Sequence, residues 1–385
     1  MGRRMGLKGK ETQEKTVQNK TLQTKTIHTG VSFDTRQSNI LKGFFIICML
    51  SHHLFYDAAT FAGFDVDFAP FGEHQVIVLV QSFKYVMAGF TFLTYYGMTA
   101  KLKGKSAQEK RELMPKLIGK RVLTLFFSFL PVYLLSVILA LVMKQDFFWI
   151  YSREEQSFFG YAILDALGLA DFFQTPTMNI TWWYMSFAYV ILFMFPFLYA
   201  LYERFGVLFL GGALVLPVAI GWDGRYLGIC AFTLALGIYT KEHDILEKWR
   251  EAGKGRPEIV LFKLIVCVAG FLLLVKLPFV VPISNFNFAA GTMWAAFCFF
   301  TFIGRIPGVS HILTLLGKYS MNIFLIHTFI YYYYFKDFTY SFRYWLLILA
   351  VLMGISLVIS MAIEGLKKVT RYNQLVKYVT GKLCV

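Results

Sequence analysis

The chain has little charge and distributes it unevenly. Asp, Glu, Lys and Arg make up 16% of its 385 residues, against 57% hydrophobic residues and a mean hydropathy of +0.56. A soluble domain of this length needs more polar surface than that to cover its core, so a soluble fold is excluded. Cysteine is scarce as well. The five cysteines lie at 48, 230, 267, 298 and 384, four of them inside apolar runs, with no CxxC and no Cys/His spacing. A disulfide framework and a thiolate metal site are excluded, and the cysteines read as small apolar residues. No Gly-rich phosphate loop, internal repeat or low-complexity core segment occurs. Acidic residues are the rarer sign, 23 against 38 basic, for a net charge of +15. That excess does not point to nucleic acid, because the basic residues fall in the tails and in alternate loops. Anionic lipid headgroups at the cytoplasmic face are the partner such segments suit.

What the chain has in abundance is apolar runs of the length a helix needs to cross a bilayer, roughly 17–25 residues. They are expected near 40–57, 76–98, 122–143, 181–201, 207–222, 226–240, 259–276, 284–303, 314–334 and 343–363, the fifth and sixth being the shortest. The fold class is therefore all-α: a polytopic integral membrane bundle of about ten transmembrane helices. Loop charge sets its orientation. "KLKGKSAQEKRELMPKLIGKR" (101–121), "KEHDILEKWREAGKGRPE" (241–258) and "KKVTRYNQLVKY" (367–378) are basic, whereas 57–74 has no Lys or Arg. Both termini are then expected in the cytoplasm. Residues 1–38 read as a disordered basic cytoplasmic tail without a signal-peptide core, 39–366 as the transmembrane domain, and 367–385 as a basic cytoplasmic tail. The stretch "SFFGYAILDALGLADFF" within 144–180 is apolar but broken by Asp165, Asp171 and glycines. It suits an amphipathic or re-entrant segment at the outer face that could roof a cavity.

Polar groups inside such a bundle are costly, so each needs a reason. Lys42 and His53 are eleven residues apart, about three turns, which puts them on one stripe of the first span about 16 Å apart. Lys42 lies toward the cytoplasm and His53 toward the outside. His52 is turned about 100° from His53, so one imidazole of the pair faces the bundle interior and can move protons near neutral pH. Lys84 has no carboxylate within a turn in the second span, and a lysine there costs about 2.5–3.5 kcal/mol on insertion scales. It should face a cavity or an ion-pair partner. Arg121 stands at the cytoplasmic mouth of the third span, either as a topology anchor or where a phosphate-bearing cytosolic ligand meets cationic donors. Trp182 and Trp183 stand at the outer interface, where an aromatic belt is common but stacked aromatics can also line a sugar site. Asn322, His327 and Glu364 are further polar groups in the last two spans. The constellation suits moving a molecule across the membrane or carrying out a transfer within it, and does not choose between them.

The order of motifs is more specific. Lys42, ten residues and His53 match a first-span signature; Lys84 followed by "FTFLTYYGMT" matches a second, with Thr94 and Tyr95 in place of Ser-Gly. "KRVLTLFFSFLPVY", "TWWYMSFAYVILFMFPFLY" and "LGKYSMNIFLIHTFI" follow in the expected order. In these the chain resembles the membrane acyltransferase family 3, which includes bacterial polysaccharide O-acetyltransferases, over about 36–363. The resemblance implies a multi-pass enzyme of the bacterial cytoplasmic membrane. It would move an acyl group, usually acetyl from cytoplasmic acetyl-CoA, to a hydroxyl of an extracytoplasmic glycan or other envelope acceptor, with no metal. It further implies His53 and Lys42 as catalytic residues, Arg121 and Lys84 as acyl-CoA contacts, and Trp182, Trp183 and His327 as acceptor contacts. The competing class is a transporter or flippase of a glycan or lipid-linked intermediate.

Overall fold

A computed structural model describes residues 33–143, 150–151 and 158–383; most of the expected N-terminal tail lies outside them. Among the described residues the chain is helical, with no β-strand and a single isolated bridge between Asp67 and Tyr344. The helices are α1 (Thr35–Phe55), α2 (Glu73–Ser82), α3 (Val86–Leu102), α4 (Ala107–Val142), α5 (Phe158–Ala166), α6 (Trp183–Phe205), α7 (Val207–Ala219) and α8 (Tyr226–Glu242). They continue as α9 (Ile245–Glu251), α10 (Pro257–Val280), α11 (Ser284–Thr301), α12 (Pro307–Lys318), α13 (Ser320–Thr328), α14 (Lys336–Tyr340), α15 (Trp345–Val369) and α16 (Tyr372–Leu383).

Local sequence explains where the main ones start. The Asp34 carboxylate accepts from the Gln37 N–H at 2.9 Å and opens α1. Ser106 and Glu109 form a reciprocal capping box at α4. Pro257 and Pro307 occupy the first turns of α10 and α12, where a missing N–H costs nothing.

Seven described helices or helix pairs are long and apolar enough to cross a membrane, and eight if a bent pair counts as one span. That pair is α12 with Ser320–Tyr334, turned through 68°. The fifth and sixth expected spans are α7, with 13 residues, and α8, with 17. At 1.5 Å per residue α7 reaches only about 20 Å, short of a hydrocarbon core about 30 Å thick. The second span also differs from a plain helix. A 3₁₀ turn at Phe83–Tyr85 separates α2 from α3 and carries Lys84.

α1 lies at the centre, and its tightest neighbour is α12. It buries residues around its circumference, from Ile40 and Leu41 to Phe45, Ile46, Leu50 and Leu54, as a helix enclosed by others must. The crossing depends on two glycines. A Cβ on Gly43 would collide with the Leu313 carbonyl, and a Cβ on Gly317 would collide with the Asn39 carbonyl. Backbone therefore meets backbone on both sides, the close approach that small residues allow in membrane helices.

Three ion pairs stand at the 101–121 end of the bundle. Lys103 meets Asp244 at 2.5 Å, Lys110 meets Glu203 at 2.6 Å, and Lys241 meets Glu247 at 2.9 Å. At the opposite end, the 57–72 loop is tied to the start of α15. The Asp67 N–H donates to the Arg343 carbonyl at 2.8 Å, and the Trp345 N–H returns to the Asp67 carbonyl at 3.0 Å.

The crossing gives a direct expectation. Gly43→Ala and Gly317→Ala each insert a methyl where a carbonyl already sits, and should cost about 1–3 kcal/mol or more. Gly354→Ala, with open space around its Cβ, should be neutral or slightly stabilising. Thermal melts in nanodiscs test the contrast; equal melting of all three variants would show that the crossing is looser than described.

Candidate functional site

The two histidines of α1 part company. The His52 ring Nδ1 is 2.9 Å from the Val80 carbonyl, so it carries the proton and donates to α2. His53 turns the other way, toward α13, with its ring centroid 5.1 Å from that of His327 and 6.4 Å from that of Tyr331. His327 is fully buried. Its Nδ1 donates to the Phe324 carbonyl at 2.7 Å, which leaves Nε2 as a bare acceptor. That atom is buried and has no partner among the described residues. An unsatisfied buried acceptor costs roughly 1–3 kcal/mol, and a buried polar atom of this kind calls for a ligand or a reaction partner. The His327 and Tyr331 rings stack at 5.8 Å, and a π-helical turn begins at Phe329, just beyond the histidine. Such turns interrupt helices most often at functional positions.

Eleven residues toward the other end of α1, Lys42 is half-buried. It lies within electrostatic reach of Arg121 on α4. The Arg121 guanidinium passes over Gly97, where a Cβ would come within 3.6 Å of it. Neither cation has an ion-pair partner among the described residues, whereas Lys103, Lys110 and Lys241 do. Two like charges near each other without a carboxylate leave cationic donors open to an anion.

Lys84 does not join them. It is exposed in the 3₁₀ turn and within electrostatic reach of His52. It stands 13 residues, about 20 Å of helix, from Gly97 and Arg121. The two expected acyl-CoA contacts are thus at different levels of the bundle. Asn322 and Glu364 are engaged with each other at 2.9 Å, and Lys367 adds a 2.8 Å ion pair to the same carboxylate. They tie α13 to α15.

The tryptophans differ too. Trp182 is buried, and its indole N–H donates to the Leu325 carbonyl at 3.0 Å, two residues before His327. Trp183 stacks on Tyr226 with centroids 4.0 Å apart. Around Trp182 is a polar brace that the motif pattern did not single out. The Asn179 side chain caps the turn by accepting from the Thr181 N–H, and the Thr181 and Thr328 hydroxyls meet at 3.0 Å. Asp165, only 1% exposed, accepts from the Tyr151 hydroxyl at 2.7 Å and from the Thr177 hydroxyl and Met178 N–H at 2.8 Å each. The one sequence signal for this brace was a carboxylate in an otherwise apolar segment. Among the described residues no group of three His, Cys, Asp or Glu is arranged to hold a metal ion.

A histidine pair in the core of an apolar bundle could serve either transfer or transport, and the comparison with known families decides the class. The model of the acyltransferase domain, family 3, matches residues 36–365. The chain belongs to acyltransferase family 3. It is a multi-pass membrane acyltransferase, and the match takes in α1 to α15 almost whole. No curated protein and no solved structure matches it.

Asp165 supplies a test of the brace. Burial pushes its carboxyl up to about 6 from an ordinary 3.8, against the pull of its three donors. The folded state then binds the proton more tightly than the unfolded state. The stability this group contributes is full below pH 3.8 and is lost as pH rises through about 6. Hydrogen exchange in 158–183, corrected for intrinsic rates, should show more opening at pH 7 than at pH 5. Asp165→Asn should remove that dependence and weaken the segment by about 1–3 kcal/mol, since its NH₂ faces a donor. Protection independent of pH in the unaltered protein would contradict the assignment.

Proposed function

We propose that this acyltransferase moves an acyl group, acetyl in the first instance, from acyl-CoA at the 101–121 end of the bundle to a hydroxyl of an envelope glycan at the opposite end. The single observation that carries the reading is the stripe of α1. It has an unpaired Lys42–Arg121 cation pair at one level and His53, beside the unsatisfied His327, about 16 Å away. The basic loops would then be cytoplasmic, in a bacterial cell membrane, with anionic lipids around them.

The chemistry follows from those two levels. The phosphates of coenzyme A suit Arg121 and Lys42, which offer charge-assisted donors and lack a competing carboxylate. The slender pantetheine arm runs from there along α1 and brings the thioester to His53. The His53 imidazole takes the proton of the acceptor hydroxyl as the oxygen attacks the thioester carbonyl. The tetrahedral intermediate collapses by breaking the C–S bond. The proton held on His53 passes to the leaving sulfur, giving an ester, free CoA and a neutral imidazole. His327, with a free Nε2 lone pair beside this centre, stabilises the transient imidazolium of His53. Water excluded from the apolar core would otherwise hydrolyse the thioester. Lys84, far from Arg121 along the second span, acts beside the histidine pair and not at the phosphates.

Turnover of acetyl-CoA by purified protein in nanodiscs tests this. His53→Ala should lose on the order of 10²–10⁴-fold in transfer while remaining folded. His52→Ala should keep substantial transfer, with stability lowered by about 1 kcal/mol for the lost hydrogen bond to Val80. Arg121→Ala should weaken CoA binding by roughly 10–100-fold, the equivalent of a charged hydrogen bond. An active His53→Ala protein, or equal loss in both histidine variants, would overturn the role of His53. Unchanged CoA affinity in Arg121→Ala would leave that arginine as a topology anchor.

A further inference from the structure

Trp182, bonded to the Leu325 carbonyl, also lines a cleft of ≈ 240 Å³ whose walls come from the end of α5, the start of α6 and the segment between them. Its lining includes Asp171, Gln174, Thr175, Thr177, Trp182 and Trp183. No Lys or Arg contributes to it. The backbone that shapes it is held in place from several directions. Asp165 clamps Thr177 and Met178, the Ser186 hydroxyl donates to the Gly168 carbonyl at 2.8 Å, and the Thr175 N–H closes on the Ala170 carbonyl at 2.9 Å. The cleft is preformed, as ligand sites usually are.

Its chemistry is selective. The Asp171 side chain is only partly exposed and accepts no hydrogen bond among the described residues, while its backbone carbonyl takes the Gln174 amide at 2.5 Å. That fold-back leaves the Gln174 carbonyl oxygen as a second open acceptor. Asp171 lies within electrostatic reach of Tyr226, the residue stacked on Trp183. A carboxylate, an amide oxygen and hydroxyls beside an aromatic pair suit a molecule with many O–H groups on its edge and an apolar C–H face. That is a sugar ring. The absence of a cation, with Asp165 and Asp171 both at the cleft, disfavours sialic or uronic acids and phosphorylated sugars.

The cleft wall is tied to the helix that carries His327. Trp182 and Asn179 both donate to the Leu325 carbonyl, at 3.0 and 3.4 Å, on the helix that carries His327. We infer that this cleft is the acceptor subsite, taking an uncharged or cationic sugar ring through Asp171, Gln174 and the Trp183–Tyr226 stack, and presenting its hydroxyl toward the His53–His327 pair. The inference rests on the transferase reading for its place in the reaction, but sugar binding is measurable without any acyl donor.

The experiment uses the full chain in nanodiscs with diazirine-bearing glucosyl, galactosyl and N-acetylglucosaminyl disaccharides and no acyl-CoA. At least one probe should label peptides within 165–183 and be displaced by the same free sugar. A glucuronic acid analogue should compete at least tenfold more weakly. Asp171→Asn and Trp183→Ala should each cut labelling at least tenfold, while CoA affinity stays that of the unaltered protein and shows that both variants are folded. Failure of all three probes, labelling confined to other regions, or full labelling in both variants would overturn the cleft. Specific labelling in a protein that transfers no acetyl group would instead count against the transferase reading and leave the cleft standing.

Discussion

The backbone contact between α1 and α12 is the constraint on which the rest of the molecule depends. With Gly43 and Gly317 facing carbonyls, the two helices sit closer than any side chain would permit. α12 then ends at Lys318 and the chain turns through 68° into α13. Because α12 is fixed against α1, the turn returns α13 toward the same helix further along, and His327 arrives beside His53. A straight ninth span would carry His327 elsewhere. The histidine pair is therefore a consequence of a helix crossing made some ten residues away in each chain segment, and its precision is set by packing that cannot flex by a methyl group.

Charge is sorted by the same architecture. Some loop cations, Lys103, Lys110 and Lys241 among them, have carboxylate partners, but such surface pairs are worth little, about 0–1 kcal/mol each. Lys42, half-buried on α1, has none among the described residues, and neither does the exposed Arg121 on α4. The His327 Nε2 stays unsatisfied among the described residues, although Asp165, Asn179, Thr181 and Trp182 nearby all have hydrogen-bond partners.

Much of this was legible in the sequence, and the rest was hidden for identifiable reasons. Helicity and membrane insertion followed from hydropathy, which records burial directly. The opposed directions of His52 and His53 followed from helical geometry, and the family from five motifs in order. Against about ten expected spans, seven or eight described helices are long and apolar enough to cross a membrane. α7 is apolar but only 13 residues long, and hydropathy measures composition better than it measures helix length. The 68° turn and the 3₁₀ break at Lys84 leave no strong local mark, since neither contains Pro. The resemblance implied Lys84 and Arg121 together as acyl-CoA contacts, and helix length separates them by about 20 Å. The Asp165 brace was visible only as an anomaly, one acid in an apolar stretch, because its donors Tyr151, Thr177 and Met178 come together only on folding.

The central claim is that the two ends of the α1 stripe serve opposite sides of one membrane. The most direct measurement is sidedness of the donor in sealed vesicles of defined orientation, with radiolabelled acetyl-CoA supplied on one face at a time. Label should reach acceptor only when acetyl-CoA meets the face bearing the 101–121 loop, and the acetylated product should be accessible to a membrane-impermeant esterase only from the other face. Transfer supported from the opposite face, or product confined to the face that received the donor, would contradict it.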